Sequence, residues 1–297
     1  MWYRFRKPAL LAGLLLVLAP PAALACSTCK CGDYSITLLG AEKPYAGRLR
    51  AVVDLLARSE TQGTGLNARK TEELRSTIGL SYAVSDDLTV AAQLPWVRKT
   101  LDDGNLASQE AEGFGDIDLI GWWVLHRSGE PVVRHLAGVR FGVRLPTTDQ
   151  VREGGSRLDI DVQPDAGAIA PNLGGWYRYY RFPWMLTVSG VAFVYGDGHQ
   201  GFSPGDAYTA SLLGQYAINA DWALQAGLDA RHSGRNRFSG VTDPDSGGIL
   251  AALYAGVAAR FLGELSISAG AQVPVLDDLN GAQDEDASLR LSLAYDF

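Results

Sequence analysis

The stretch Leu-Ala-Gly-Val-Arg-Phe-Gly-Val-Arg-Leu at residues 136–145 decides the fold, because its side chains alternate strictly between two chemical types. The odd positions are apolar, and the even positions between them hold glycine and arginine: Ala137, Val139, Phe141 and Val143 against Gly138, Arg140, Gly142 and Arg144. Successive side chains of a β-strand point to opposite faces. The stretch therefore predicts a strand with one apolar face and one cationic face.

The same alternation recurs along the chain. It predicts about twelve strands, each close to the ~10 residues that a tilted membrane-spanning strand needs. They are expected at 48–59, 70–83, 88–98, 115–126, 135–146, 164–177, 184–195, 207–218, 222–232, 247–260, 264–274 and 286–297.

The connections between these strands alternate in length. Long polar loops such as 102–105 and 243–248 alternate with tight turns such as 85–87 and 219–221. An even strand count with both termini on the tight-turn side is typical of an outer-membrane barrel. We expect residues 47–297 to form an all-β, transmembrane, antiparallel up-and-down β-barrel of about 12 strands.

A soluble periplasmic β-sandwich is the alternative fold, because it also alternates apolar and polar faces. Two features favour the barrel. The chain ends an alternating strand on Phe297, which resembles the terminal signature of outer-membrane proteins. Aromatic residues also lie near predicted strand ends, as the interfacial girdles of a barrel require; they are Trp96, Trp184, Trp222, Tyr195 and Tyr208.

The amino terminus predicts export. A basic region with Arg4, Arg6 and Lys7 precedes an apolar segment at 9–19, and Ala23-Leu24-Ala25 fits a cleavage site. We expect residues 1–25 to be a signal peptide and the mature protein to reach the outer membrane of a Gram-negative-type cell. A net charge of −7 argues against a nucleic-acid partner, which would need a basic face.

Three cysteines, Cys26, Cys29 and Cys31, lie together at the predicted mature start, in a segment 26–46 that we expect to be periplasmic or to plug the barrel. Converging thiolates could bind Cu or Zn, and a periplasmic metal or redox protein would then be a partner. A disulfide between Cys26 and either Cys29 or Cys31 is the second interpretation. Lipidation of Cys26 is the third.

Short motifs add a family resemblance. Gly113-Phe114-Gly115-Asp116-Ile117-Asp118-Leu119 and the strand ends Leu94-Pro95-Trp96, Arg144-Leu145-Pro146-Thr147 and Gln272-Val273-Pro274-Val275 resemble those of the porin-like outer-membrane transporters grouped under the meta-pathway of phenol degradation. The resemblance covers most of the mature chain. It implies a barrel through which small organic molecules or other solutes cross the outer membrane.

The polar faces of the strands are expected to line the pore. Their charged residues are Arg48, Arg50, Asp54, Arg58, Arg75, Asp116, Asp118, Arg140, Arg144, Asp229, Arg231 and Arg290. Two interpretations stay open: the charges neutralise one another around a filled lumen, or the arginines attract anionic or phenolate-like solutes. Twelve strands predict a narrow channel in either case.

Acidic groups in the predicted loops are expected to be solvated, with bridges through divalent ions to lipopolysaccharide; they are Asp159, Asp161 and Asp165, Asp277 and Asp278, and 284–286. No catalytic motif accompanies the scattered histidines, so we expect no enzymatic activity. The sequence thus predicts an outer-membrane channel or facilitator for small solutes, in contact with outer-membrane lipid. The alternative function is a scaffold barrel that sheathes an electron-transfer or metal-handling partner.

Overall fold

The computed structural model describes residues 45–65, 68–104, 108–129, 132–147, 149–261 and 263–297. The predicted signal peptide and Cys26, Cys29 and Cys31 lie outside the described residues. Within the described part, no helix has the length and apolar character that crossing a membrane would need.

Twelve strands form the wall. They are β1 Leu49–Gln62, β2 Arg69–Ala83, β3 Leu88–Asp103, β4 in two segments Gln109–Phe114 and Ile117–Ser128, β5 His135–Leu145, β6 Ala170–Arg181, β7 Trp184–Phe193, β8 Ala207–Ala217, β9 Trp222–Ser233, β10 Gly248–Phe261, β11 Leu265–Leu279, and β12 in two segments Gln283–Glu285 and Ser288–Asp296.

Each strand pairs antiparallel with the next, and β12 pairs with β1 to close the sheet. Val53 of β1, for example, lies opposite Ile78 of β2 and Leu293 of β12. The predicted antiparallel barrel of twelve strands is confirmed. The soluble sandwich is wrong, because a sandwich consists of two separate packed sheets and this sheet is continuous.

The two ends of the barrel differ. Turns 84–87, 182–183 and 218–221 define the short-turn end, where β1 begins and β12 ends. Connections 146–169, 194–206 and 234–247 define the long-loop end. In outer-membrane barrels short turns are periplasmic and long loops extracellular, so the short-turn end is the expected periplasmic side.

The outer face is apolar and the inner face polar, as the alternation predicts. Ile78 and Leu125 are 60% and 61% exposed on the outside, whereas Arg75 and Asp54 are buried inside. A barrel in water would not leave such side chains uncovered on every strand, because exposed apolar area is unfavourable there. The apolar outer face fits a lipid environment.

Aromatic pairs mark both rims of the apolar face. Trp184 contacts Tyr216 at the short-turn end with ring centroids 4.8 Å apart, and Trp96 contacts Phe114 at 4.8 Å on the side of the apolar face towards the long loops. Tyr195 does not belong to these girdles. Its hydroxyl accepts a hydrogen bond from the lumenal guanidinium of Arg144 at 3.4 Å, so this part of the girdle prediction is wrong.

The sixth strand also departs from its predicted bounds of 164–177, since β6 spans Ala170–Arg181. Residues 159–168 instead enter the barrel, where Asp161, Gln163 and Asp165 are buried. The chain leaves the sheet there because its carboxylates pair with cations of the inner wall. We call residues 146–169 the inward loop.

Candidate functional site

Each predicted pore-lining residue has its side chain inside the barrel. Arg58 and Asp229 are partly buried and the other ten are buried: Arg48, Arg50, Asp54, Arg75, Asp116, Asp118, Arg140, Arg144, Arg231 and Arg290. Their inward position follows from the strand alternation. Their partners depend on the closed barrel, which brings distant strands together.

At the short-turn end, charges on β1 and β12 pair. Arg48 donates two hydrogen bonds of 2.8 Å to the carboxylate of Asp296, and Arg50 lies 3.7 Å from the same carboxylate. Arg290 lies 3.9 Å from Asp54. These cations are therefore largely compensated by neighbouring carboxylates.

A second network lies nearer the long-loop end of the lumen, around Glu73 and Glu285. Glu73 was not among the residues singled out from the sequence, and the expectation that the acidic group 284–286 is solvated is wrong for Glu285, which pairs with Arg58 and Arg231. Glu73 accepts hydrogen bonds from Arg58 at 2.7 Å and from Arg75 at 2.6 Å. Glu285 lies 3.9 Å from Arg58 and accepts a hydrogen bond from Arg231 at 3.3 Å. The cationic ladder proposed from the sequence is thus mostly neutralised here.

The remaining acids also have partners. Arg144 forms a two-pronged pair with Asp118, at 2.9 and 3.2 Å, the geometry in which a guanidinium binds a carboxylate most specifically. Asp229 accepts a hydrogen bond from the amide of Gln272. Both arrangements fix charges in place on the wall.

The inward loop supplies its own carboxylates to cations of the wall. Asp165 lies 3.3 Å from Arg75. Arg69 donates to Asp159 at 2.7 Å and to Asp161 at 3.1 Å, and Lys99 donates to the carbonyl oxygen of Asp161 at 3.4 Å. The expectation that these three aspartates are solvated is wrong, because their ion pairs hold the loop across the lumen.

Asp116 anchors both ends of the same loop. Its carboxylate accepts hydrogen bonds from the backbone N–H of Thr147 at 3.3 Å and of Gly167 at 3.1 Å. Gly115 is required beside it, because a Cβ there would lie 2.5 Å from Asp165 Oδ2 and 2.9 Å from Pro95. The Gly-Phe-Gly-Asp motif thus interrupts β4 to receive the loop.

Asp161 combines burial with a nearby like charge. Burial raises the pKa of Asp161, the adjacent Asp159 raises it further, and the cations of Arg69 and Lys99 oppose the shift. The ionised loop is therefore less favourably docked than its hydrogen bonds alone suggest.

Other loops cover the long-loop end. Asn236 accepts from the backbone N–H of Gly205 at 3.0 Å, and its own N–H donates to Ser246 at 2.9 Å. Asp245 accepts from the backbone N–H of Ala282 at 3.1 Å. These contacts tie the loops of the expected extracellular side to one another.

The part of the lumen towards the short-turn end, which we call the lower lumen, has two unlike walls. On β3 to β6, the apolar side chains of Trp122, Val124, Leu136 and Trp176 pack together inside the barrel. Opposite them, small side chains leave a cavity of about 270 Å³ at the short-turn end; its lining includes Ala217, Ala223, Ser266, Ser268, Ser292 and Ala294. The two sides of this part of the lumen thus differ: one is packed with apolar side chains, and the other leaves a cavity.

Two arginines on the same side of the lumen contact aromatic rings. Arg140 donates to the amide oxygen of Asn172 at 2.6 Å, and its guanidinium lies 5.6 Å from the ring centre of Phe193. The guanidinium of Arg178 lies 5.1 Å from the ring centre of Trp176. Arg178 was missed because the predicted strand ended at 177, although Trp176, Arg178 and Tyr180 continue the alternation.

No group of three or more His, Cys, Asp or Glu side chains able to hold a metal ion occurs among the described residues. The predicted Cu or Zn site at Cys26, Cys29 and Cys31 lies outside them.

Comparison with known proteins relates this geometry to solved barrels. No protein-family model and no curated protein matches the chain. The COG4313 outer membrane channel from Pseudomonas putida F1 is similar with a TM-score of 0.71 and 17% identity, covering 86% of this chain and 98% of that chain. The β domain of the Bordetella autotransporter BrkA has a TM-score of 0.52 and 13% identity, covering 85% and 100% of the two chains. The translocator domain of the autotransporter NalP from Neisseria meningitidis has a TM-score of 0.50 and 16% identity, covering 87% and 91%. The chain therefore has an outer-membrane β-barrel fold similar to that of an outer membrane channel, which confirms, at the level of the fold, the resemblance drawn from its motifs.

Proposed function

We propose that the chain is a narrow outer-membrane channel or facilitator for small solutes, including aromatic or anionic ones. The observation that carries the proposal is the cavity of about 270 Å³ inside a barrel whose outer face is apolar. An apolar outside places the barrel in lipid, and a polar inside with free volume is suited to a hydrated path.

The inward loop limits the size of the solutes that can pass. Asp159, Asp161 and Asp165 tie it to the wall, so the passage at the long-loop end is constricted. Such a constriction favours small molecules over a general sieve. The COG4313 structure is described as an outer membrane channel, which supports the same class of activity for this chain.

Planar-bilayer recording of the purified full chain tests the proposal. Discrete conductance steps are expected for the unmodified protein. Ser292 lines the cavity and its neighbour Leu293 faces outward, 43% exposed. Ser292→Trp should therefore lower the unit conductance, whereas Leu293→Trp, with the same added ring, should leave it unchanged. A silent bilayer with correctly folded protein would refute the channel.

The alternative of a sheath around an electron-transfer or metal-handling partner is less favoured. Trp122, Val124, Leu136 and Trp176 occupy one side of the lower lumen, and the inward loop crosses the upper part. A threaded partner would have to displace them. A bilayer without conductance, together with tight binding of a copper protein or cytochrome, would favour the sheath.

We propose metal binding or a redox bridge for Cys26, Cys29 and Cys31, with the predicted lipidation of Cys26 as the other outcome. The odd number of thiols leaves one unpaired in any intrachain disulfide scheme. Mass spectrometry after alkylation, with and without reduction, counts the free thiols and detects a lipid. Three alkylated thiols without reduction, and no effect of Cu or Zn on alkylation, would argue against both metal and redox use.

A further inference from the structure

The inner wall of β5 to β8 holds a cation that no carboxylate neutralises among the described residues. Arg178 is 9% exposed, and its Nε has no hydrogen-bond partner there. Its guanidinium lies 5.1 Å from the ring centre of Trp176. The paired arginines of the lumen differ from Arg178, because each of them has a carboxylate within 4 Å; examples are Arg48, Arg58 and Arg75.

Hydroxyl groups continue from Arg178 around the wall. Thr187 lies directly opposite Arg178, Ser189 opposite Trp176, and Ser211 opposite Ser189 in the strand register. Residues that face each other in antiparallel strands have Cβ atoms about 5 Å apart. All three hydroxyls are buried and have no hydrogen-bond partner within the described part of the chain.

Unsatisfied buried donors indicate that something other than the described protein atoms meets them, because leaving a polar group unpaired is costly. A guanidinium binds a carboxylate through two parallel hydrogen bonds. The hydroxyls add further donors beside it. The nearest acid along this row is Asp229, opposite Ser211 on β9, and Gln272 already donates to it.

Aromatic side chains beside Arg178 give the wall a second property, a surface on which the ring of a solute can pack. Trp176 belongs to the apolar cluster of the lower lumen, and its indole N–H donates to the carbonyl oxygen of Val139 at 3.1 Å, which fixes the ring. Arg140 of β5 lies opposite Gly174 of β6. Gly174 precedes Arg178 by four residues, which is about 13 Å along the strand. Two guanidiniums thus flank one indole.

We propose that Arg178, Trp176, Thr187, Ser189 and Ser211 form a binding subsite for small aromatic carboxylates on the channel wall. The carboxylate pairs with Arg178 and the hydroxyls, and the ring packs on the indole. This inference rests on the proposed channel function and names the solute class that the wall retains. The paired arginines of the lumen contribute to the field but do not form the subsite.

The test uses single-channel recording of the full chain with sodium benzoate as the aromatic anion, acetate as the small anion and benzyl alcohol as the neutral ring. Benzoate should reduce the KCl current at lower concentration than either of the other two. Arg178→Gln should raise the half-blocking benzoate concentration about tenfold or more, since it removes the charged donor that pairs with the carboxylate. Arg178→Lys should restore part of the affinity, because it keeps the charge and loses the fork.

Arg181→Gln is the matched control, since it removes the same charge from the exposed outer side of the same strand. It should leave the block by benzoate unchanged. Trp176→Leu should abolish the preference for benzoate over acetate while retaining weak block by both.

The outcomes separate the two proposals. If the unmodified protein conducts and Arg178→Gln blocks with benzoate like the unmodified protein, the subsite is refuted and the channel stands. Equal block by benzoate and benzyl alcohol would also refute the subsite. If the folded, unmodified protein does not conduct at all, the channel itself fails. Heat-modifiable gel migration checks that each variant folds.

Discussion

The carboxylate of Asp116 accepts a hydrogen bond from the backbone N–H of Gly167 at 3.1 Å, and so joins the interruption of β4 to the inner end of a loop 51 residues away. The same carboxylate accepts from Thr147 at the loop's start. One side chain thereby fixes where the inward loop enters the barrel and where it returns to β6. The position of the constriction depends on this residue.

Asp116→Ala should release the inward loop. The variant loses both backbone contacts, so we expect a larger unit conductance in planar bilayers and faster proteolysis within 146–169. Asp149→Asn, an exposed position in the same loop, is the control and should match the unmodified protein. Unchanged conductance in Asp116→Ala would mean that the loop does not limit the path.

Little of this loop could be predicted from the sequence. Strand alternation is a local pattern of period two, so it predicts the twelve strands, apart from the bounds of the sixth, and puts their charged residues on one common face. Asp159, Asp161 and Asp165, however, look like solvated loop residues until the closed barrel brings Arg69 and Arg75 to them. Those cations are about 90 residues distant in the chain, and no local pattern links them.

The failure to predict Arg178 as a lumenal residue has a different cause. Pro171 interrupts the alternation near the start of the sixth strand, and the predicted bounds of 164–177 begin six residues and end four residues before those of β6. Arg178 then fell beyond its end. The alternation of Trp176, Arg178 and Tyr180 was available as a signal, but it needed the correct end of β6 at Arg181.

Glu73 should be central to stability. It accepts hydrogen bonds from both Arg58 and Arg75 and is buried, so Glu73→Gln leaves two cations without their shared carboxylate. Breaking a buried ion pair from one side costs about 3–5 kcal/mol. Urea unfolding in lipid vesicles, followed by tryptophan fluorescence, measures the loss of free energy of unfolding.

Glu110→Gln is the comparison for that measurement. Glu110 pairs with Arg98 on the exposed surface, where solvent screens the interaction, and its removal should give no measurable change. Equal destabilisation by the two variants would show that the lumenal network is not energetically distinct from the surface.

The lipid-facing assignment predicts a depth-dependent cost for charge. Ile78 lies on the outer face between Val53 and Leu94, near the middle of the apolar belt, and Leu74 lies four residues nearer the long-loop end. Ile78→Arg should cost about 2–4 kcal/mol, and Leu74→Arg about 0–1 kcal/mol. Reversible unfolding in lipid vesicles compares them. A larger cost at Leu74 would contradict the placement of the belt.

Acidification should tighten the inward loop. The pKa of Asp161 is raised in the docked loop by burial and by Asp159, against the opposing cations of Arg69 and Lys99, with Asp243 a weaker like charge. The docked loop therefore binds a proton more tightly than a released loop would. As the pH falls through this raised pKa towards the ordinary carboxyl pKa near 4, docking gains free energy. Conductance should fall over that window.

Asp161→Asn mimics the protonated form, so it should lower the conductance at pH 7 and flatten this part of the pH dependence. If Asp161→Asn instead raised the conductance at pH 7, the ion pair with Arg69 would outweigh the burial of the charge.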